Sequence, residues 1–259
     1  MKQLRNGGIE LTYEPSLEDS VQALVSLMSE SAHAVRPVRK IDEKASALYA
    51  SRGFQLYPTV LKTTLFHDSR SDCFFKVLHP LDLKHRMIYA VTDRAYQIFT
   101  LCSELKARGI PLPGVTAYGT IRETHAPVFA MERVRGTSLY NTFVLDGKPL
   151  NPDLGLKVMD AIAAFHRLGY WFGDAHLSHI FMDGADVTGF IDVDSIKRNL
   201  RSGVRNFAKD LSGLNHPRLP LTDGQKKEFV DHYLEVMKIR NRPAFLGMLK
   251  RYSERRWER

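Results

Sequence analysis

The stretch GDAHLSHIFMDGADVTGFIDVD, residues 173–194, carries two clusters of acidic and imidazole side chains separated by short apolar segments. The first cluster follows a predicted helix end and a short aromatic strand, which places Asp174 on a loop, with His179 five positions later. An aspartate on such a loop can act as a base or orient a hydroxyl group. The alternative is a turn in which Asp174 bonds only to nearby backbone.

The second cluster consists of two acids, Asp192 and Asp194, at the end of the apolar segment 189–191. If the chain stays extended, side chains at positions i and i+2 point to the same side. Two carboxylates at a strand end suit Mg²⁺, a hard ion that takes oxygen ligands and shares them with substrate phosphates. A polar strand exit without a ligand is the alternative interpretation.

A lysine lies inside an apolar strand earlier in the chain. In CFFKVL, residues 73–78, both faces of the predicted strand are apolar except for Lys76. An unpaired buried charge is costly, so we expect Lys76 to meet an anionic partner. An edge-strand lysine whose ammonium group extends into water is the alternative.

The order of the predicted elements indicates an α+β protein with two lobes and a cleft between them. We divide the chain into an N-terminal extension of helix and linker (residues 1–50), a strand-rich N-lobe (51–134) and a helical C-lobe (135–259) with a basic C-terminal helix. The predicted elements are strands over residues 59–66, 73–78, 115–121 and 128–134, helices beginning at Ser16, near Thr92 and at Asn151, and a capping box at Thr222 and Gln225.

Composition and charge narrow the functional classes. Of the 259 residues, 44% are hydrophobic and 25% are charged, which excludes wholesale disorder. The net charge of +8 favours anionic partners such as nucleic acid, acidic lipid or phosphate-bearing ligands. We predict neither a membrane-spanning helix nor a secretory signal, and the two cysteines favour a reducing, cytoplasmic setting.

Lys76, Asp174 and Asp192 stand in the order in which kinases place a strand lysine for nucleotide phosphates, a catalytic-loop aspartate and a metal-binding aspartate. The sequence therefore resembles the protein-kinase-like superfamily, and within it the bacterial Kdo and heptose kinases of the lipopolysaccharide core. The narrower resemblance is carried by RGIPLPGVTAYG at 108–119, FHRLG at 165–169, the Gly-Asp pair at 173–174, His179 in place of the usual Asn, FIDVD at 190–194 and KDL at 209–211.

The resemblance implies a bilobal kinase fold that transfers phosphate from ATP·Mg²⁺ to a sugar hydroxyl of the lipopolysaccharide core. It also implies a cytoplasmic protein, with the cytoplasmic face of the bacterial inner membrane as an expected place of action. The implied roles are nucleotide binding for Lys76 and for the hinge backbone of Glu132 and Val134, proton acceptance for Asp174, metal binding for Asp192, His179 and Asp194, and bracing of the catalytic loop by Asp210 from a helix start.

Two parts of the kinase pattern are missing. No glycine-rich loop precedes Lys76, since only Gly53 lies near it, and a gapless match places Ile98, with Gln97 adjacent, where a helix glutamate should pair with the lysine. A pseudokinase or binding module of envelope assembly therefore stays open. A kinase of another small-molecule or protein acceptor is a further alternative.

Clusters of cations predict contacts with anionic partners. The C-terminal stretch 250–259 combines cations with Tyr252 and Trp257, which predicts contact with an acidic membrane surface, a solvated helix end being the alternative. No nucleic-acid motif accompanies the charge, so no nucleic-acid partner is predicted. The basic residues expected near an anionic acceptor are Lys197, Arg198, Arg201, Arg205 and Lys209.

A metal triad is the rival from another class of enzyme. Asp174, His176 and His179 supply one carboxylate and two imidazoles, as in non-haem iron enzymes. That interpretation leaves Lys76 without a role, and strand-like alternation would point His179 away from the other two side chains.

Overall fold

Strands dominate the first half of the chain and helices the second, as the element order predicted. The structure, a computed structural model, describes residues 1–6, 8–30, 43–59, 62–200 and 203–258. The chain divides into two units, which we call the first unit (Met1–Leu105 with Pro113–Arg133) and the second unit (Lys106–Leu112 with Val134–Arg259). Among the helices that the structure describes, none is both long and apolar enough to cross a membrane.

The first unit is built on one antiparallel sheet. Its strands are β1 (Lys2–Asn6), β2 (Ile9–Tyr13), β3 (Phe54–Tyr57), β4 (Thr63–Asp68), β5 (Cys73–Leu78), β6 (Val115–Ile121) and β7 (Ala126–Glu132).

The order across this sheet is β1-β2-β6-β7-β5-β4-β3. The hairpin β1–β2 was not predicted, although Ile9, Leu11 and Tyr13 are buried at alternate positions of β2. Residues 1–50 are therefore more than the expected helix and linker, because they add two strands to the sheet.

Two predicted strands differ in their bounds. The strand expected over 59–66 is two strands, since β3 ends at Tyr57 and β4 begins at Thr63. Pro58 has no N–H to donate to a ladder, which explains the break. The strand expected over 128–134 is β7, which begins and ends two residues earlier.

Helices cover the sheet of the first unit. From α1, Val21, Leu24 and Leu27 enter a core that also contains Phe66 and Phe75. Met28 of the same helix is only half-buried. The helices are α1 (Glu18–Glu30), α2 (Glu43–Ala50), α3 (Leu83–Val91) and α4 (Arg94–Ala107).

The helix predicted near Thr92 is α4, which buries an apolar face. Ala95, Ile98, Cys102 and Leu105 are buried, whereas Phe99 is half-buried. The preceding helix α3 was not predicted.

The second unit contains short strands and long helices. Its helix ends are as predicted where side chains cap them: Asn151 accepts a hydrogen bond from the backbone N–H of Asp153, and Thr222 and Gln225 form a capping box. The elements are β8 (Thr137–Ser138), α5 (Pro152–Arg167), β9 (Tyr170–Trp171), β10 (Ile180–Asp183), β11 (Asp186–Phe190), β12 (Lys197–Arg198), α6 (Arg205–Leu214), α7 (Asp223–Val236) and α8 (Arg242–Trp257).

Candidate active site

The loop from Phe172 to His179, which we call the Asp174 loop, is fixed at its start by a buried carboxylate. The backbone N–H of Phe172 donates to Asp210 Oδ2 at 2.6 Å, and His166 Nε2 lies 3.2 Å from the same oxygen. Asp210 thus braces the loop as the resemblance implied, but from the middle of α6 rather than from a helix start. Burial lowers the pKa of His166 despite the adjacent carboxylate, so this histidine is a neutral donor to Asp210.

Two glycines bring the backbone of the Asp174 loop against its neighbours. Gly173 has φ +80°, and a Cβ there would lie 2.6 Å from the carbonyl oxygen of Ser195. A Cβ on Gly213 of α6 would lie 2.0 Å from the carbonyl oxygen of Ala175. Close backbone contact on both sides therefore fixes the position of the loop.

Asp174 projects from this loop and meets a cation from the last helix. Its side chain is 64% exposed, and Arg256 Nη2 lies 3.0 Å from Oδ1. Trp257 Nε1 donates to the carbonyl oxygen of Ser212 at 2.9 Å, which holds the end of α8 on α6. Sequence reasoning missed Arg256, because no local pattern relates it to a loop 82 residues earlier.

His179 bonds back to the residue that precedes it by five. Its Nδ1 lies 3.1 Å from the carbonyl oxygen of Asp174. A carbonyl oxygen only accepts, so Nδ1 carries the hydrogen and a neutral His179 keeps its lone pair on Nε2. The carbonyl oxygen of His179 in turn accepts the N–H of Ile191 at 2.9 Å, which places the loop beside the segment that contains Asp192.

Asp192 lies at a sharp turn rather than on an extended strand. Its backbone is left-handed, with φ +63° and ψ +40°, and Ser195 donates both its N–H and its hydroxyl to the carbonyl oxygen of Asp192. The extended geometry assumed for the pair Asp192 and Asp194 is therefore wrong, since β11 ends at Phe190. A non-glycine residue in this conformation carries strain of about 1 kcal/mol or more, which is common at functional sites.

The side chains of this region suit Mg²⁺ better than they suit a metal ion whose ligands all come from protein side chains. In the part of the chain that the structure describes, no three His, Cys, Asp or Glu side chains are grouped to hold a metal. Mg²⁺ needs fewer protein ligands, because substrate phosphates and water complete its shell. The carboxylates of Asp192 and Asp194 are suitable oxygen ligands, whereas Nε2 of His179 is a nitrogen ligand and softer than oxygen.

His176 does not suit the rival iron triad. Its Nδ1 accepts the backbone N–H of Ser178 at 3.2 Å, so the hydrogen of a neutral His176 is on Nε2 and no lone pair remains for a metal. Burial, with help from the nearby His179, Arg256 and His216, lowers the pKa of His176 to about 4. The ring is therefore neutral at pH 7.

Lys76 lies in the first unit on an interior strand. Its neighbours in register are Leu65 of β4 and Phe129 of β7, and the residue is only 8% exposed. The edge-strand alternative is therefore wrong. The anionic partner expected for this buried lysine stays a prediction.

The predicted hinge residues Glu132 and Val134 were expected to pair with adenine through backbone groups. The N–H of Glu132 donates to the carbonyl oxygen of Gly114 at 2.9 Å, and its carboxylate accepts the N–H of Gly114 at 2.8 Å. Pairing of adenine with Glu132 would have to use its carbonyl oxygen. Val134 begins the second unit, where its side chain packs so closely on Gly189 that a Cβ there would lie 2.6 Å from Cγ1.

The two departures from the kinase pattern fall in the first unit. The connection between β3 and β4, where a phosphate loop is expected, spans residues 58–62 and contains no glycine. On α4, Ile98 is fully buried and Gln97 is exposed.

Several of the predicted basic residues surround aromatic rings near the Asp174 loop. Lys197 Nζ and Lys209 Nζ lie 5.6 Å and 5.2 Å from the centre of the Trp171 ring. Arg198 Nε donates to the hydroxyl oxygen of Tyr170 at 3.1 Å. The other two residues of the set are Arg205, which donates to the hydroxyl oxygen of Tyr252, and Arg201, which lies outside the described residues.

Comparison with solved structures confirms the predicted kinase-like fold. Monomeric WbdD is similar with a TM-score of 0.50 and 15% identity, over 80% of this chain and 46% of that chain. A second structure, of the bifunctional kinase-methyltransferase WbdD, gives a TM-score of 0.47 and 16% identity, over 81% of this chain and 49% of that chain. Vaccinia related kinase 3 gives a TM-score of 0.41 and 16% identity, over 78% of this chain and 87% of that chain.

The chain thus spans less than half the length of the WbdD chains, and identity this low shows the fold alone. No family model and no curated protein matches the sequence.

Proposed function

We propose that this chain is an ATP-dependent kinase that phosphorylates a hydroxyl of an anionic sugar, Kdo or heptose of the lipopolysaccharide core being the first candidate. The observation that carries the proposal is the Asp174 loop. An exposed carboxylate stands on a backbone fixed by Asp210, Gly173 and Gly213, beside the segment of Asp192, in a chain of kinase-like fold.

In the proposed reaction the acceptor hydroxyl oxygen attacks the γ-phosphorus of ATP. The new O–P bond forms as the bond from the γ-phosphorus to the β–γ bridging oxygen breaks, and ADP leaves with that electron pair. Asp174 orients the hydroxyl and accepts its proton. Most of the rate enhancement comes from positioning and charge neutralisation.

The nucleotide and its metal would be held by the remaining predicted residues. Lys76 contacts the α and β phosphates as a point charge. Asp192 and Asp194, with Nε2 of His179, would hold Mg²⁺, and the ion would supply neutralisation of phosphate charge. The carbonyl oxygen of Glu132 and the backbone of Val134 pair with adenine.

Arg256 supports the role of Asp174 as a positioned base. The guanidinium contacts Oδ1 and so orients the carboxylate, which would leave Oδ2 for the acceptor hydroxyl. Arg256 is thus a positioning residue in this proposal.

The cations around Trp171 support an anionic acceptor. Lys197 Nζ and Lys209 Nζ lie over that ring, and Lys197 Cε would lie 3.7 Å from a Cβ on Gly173, so one of these cations adjoins the Asp174 loop. We place the reaction at the cytoplasmic face of the bacterial inner membrane, and we propose no nucleic-acid partner.

A pseudokinase is the second candidate function, and a specific observation favours it. The connection 58–62 offers no glycine to a triphosphate, and the α4 position that should carry a glutamate is the buried Ile98. In this alternative the chain binds a partner of envelope assembly without turnover.

The test combines nucleotide binding with an acceptor panel. Calorimetry measures binding of ATP and Mg²⁺ to the wild-type protein and to Lys76→Met. A second assay then measures transfer of γ-labelled phosphate to purified lipopolysaccharide core, to neutral sugars and to protein. We expect binding that Lys76→Met weakens and label in the core. ATP binding with label only in neutral sugars or protein would contradict the proposed acceptor. Absence of ATP binding would contradict the kinase activity and favour the pseudokinase.

A further inference from the structure

The short helix α3 turns its apolar side chains to the solvent. Leu83, Met87 and Val91 are 74%, 62% and 82% exposed, and none of the nine residues of the helix is buried. Side chains four residues apart lie along one line of a helix. In most surface helices such a line faces the core, so the orientation of α3 is the reverse of the usual one.

The other side of α3 is the side that faces the fold. Tyr89 is half-buried, whereas the other residues of α3 are exposed. Asp82 caps the helix by accepting the backbone N–H of His85 at 2.7 Å. The exposed stripe thus belongs to a capped, regular helix.

Exposed apolar side chains are concentrated on and beside this helix. The described residues include ten large hydrophobic side chains that are exposed, and five of them fall between residues 81 and 91. A contiguous exposed apolar surface marks an interaction site, whereas single exposed residues do not. The five are Leu81, Leu83, Met87, Ile88 and Val91.

Cations border the stripe on both sides. At about 100° per residue, Lys84 lies at the edge next to Val91, and Arg86 lies at the opposite edge next to Ala90. Both are exposed, and Arg86 makes a contact of 3.4 Å with the carbonyl oxygen of Glu123. The helix contains no acid.

We propose that α3 docks on the surface of an anionic lipid bilayer. Leu83, Met87 and Val91 enter the headgroup region, while Lys84 and Arg86 contact lipid phosphates. An apolar stripe with basic edges is the pattern of helices that lie in the plane of such a membrane. A protein groove is the other occupant of an apolar face, but cations at both edges and the lack of acids favour lipid.

This inference is independent of the proposed kinase activity, since only α3 takes part. It also differs from the predicted membrane contact of residues 250–259. The aromatic groups there bond to α6, Tyr252 with Arg205 and Trp257 with the carbonyl oxygen of Ser212.

The first test is co-sedimentation with vesicles that contain phosphatidylglycerol, compared with vesicles of phosphatidylcholine alone. We expect the wild-type protein to prefer the anionic vesicles, and the triple variant Leu83→Ser, Met87→Ser, Val91→Ser to bind them about 10-fold more weakly. The matched control, Leu145→Ser with Leu246→Ser, also removes exposed apolar side chains and should bind like wild type. Equal binding by the triple variant and the control would overturn the proposal.

A second readout does not depend on the triple variant. Both native cysteines, Cys73 and Cys102, are buried, so a fluorophore sensitive to its environment can be attached selectively at Met87→Cys. We expect its emission to shift to the blue on anionic vesicles, and the same label at Leu246→Cys to stay unshifted. Absence of a shift at Met87→Cys would contradict lipid docking and leave a protein partner as the occupant.

Discussion

Asp174 and Arg256 form an ion pair across 82 residues of sequence, and this pair is the most informative side-chain contact of the candidate site. Its carboxylate is largely exposed, so the pair contributes little to folding stability. Its consequence is orientation of the carboxylate.

We expect Arg256→Gln to slow phosphate transfer by about 10-fold, because a freely rotating Asp174 carboxylate is poorly aligned with the acceptor hydroxyl. The affinity for ATP and the free energy of unfolding should stay close to wild type. Steady-state kinetics that separate kcat from KM make the measurement, with Arg255→Gln on the exposed neighbouring position as control. A faster Arg256→Gln enzyme would instead show that the guanidinium blocks the base.

His79 provides a pH-dependent prediction. Burial lowers its pKa to about 4, and its Nε2 lies 2.7 Å from the hydroxyl of Thr64. The unfolded chain, with an ordinary pKa near 6.5, takes up the proton first as the pH falls. The stabilising contribution is therefore complete above pH 6.5 and is lost as the pH falls from 6.5 to 4.

Between pH 7 and pH 5, the wild-type protein should lose on the order of 2 kcal/mol more unfolding free energy than His79→Gln. Urea titrations at the two pH values measure this difference, with His232→Gln at a half-buried position as control. The same pH dependence in wild type and His79→Gln would contradict the assignment.

The sequence named the candidate residues better than it named their contacts. Lys76, Asp174 and Asp192 were identifiable because charged groups stand out against apolar segments. Arg256 was not, since its role depends on how α8 packs against α6. The left-handed backbone of Asp192 was also unpredictable, because aspartate adopts that conformation only at a few positions and no local pattern marks them.

At the scale of elements, the packing of α6 on the Asp174 loop decides the site. Gly213 allows the approach, since any Cβ there would lie 2.0 Å from the carbonyl oxygen of Ala175. We expect Gly213→Ala to lower the free energy of unfolding by about 1–3 kcal/mol, because backbone must move. Urea unfolding measures this change, and the phosphate-transfer rate should fall with it.

Gly247→Ala on α8 is the matched control. Nothing lies within 4 Å of a Cβ at that position, and alanine is the better helix former. Its stability should equal or exceed that of wild type by up to about 1 kcal/mol. Equal destabilisation by the two substitutions would show that loss of glycine, and not the contact with Ala175, is responsible.

Elements were predictable where caps and periodicity agreed. The start of α5 at Asn151 and the capping box of α7 at Thr222 show such agreement. The helix α3 was missed because its line of apolar side chains is exposed and does not pack in the core. Its position between a strand and α4 also suggests a loop. The hairpin β1–β2 was missed although its alternation was present, because five-residue strands give a weak signal.

At the scale of the whole molecule, element order predicted an α+β protein, because a run of strands followed by a run of helices allows few architectures. The kinase-like fold was predicted only from the resemblance carried by Lys76, Asp174 and Asp192. The acceptor was not predictable on the same grounds. In the proposed function an anionic acceptor would be recognised by cations such as Lys209, which reaches the Trp171 ring from a distant part of the chain.

The role of Asp174 as the base is decided by the rate of transfer of γ-labelled phosphate by wild type, Asp174→Asn and the control Asp183→Asn, an exposed aspartate on β10. ATP·Mg²⁺ affinity is measured on all three proteins. We predict that Asp174→Asn binds the nucleotide like wild type and transfers phosphate at least about 100-fold more slowly, while Asp183→Asn is unchanged. Transfer by Asp174→Asn at the wild-type rate would contradict the role of Asp174 as the base.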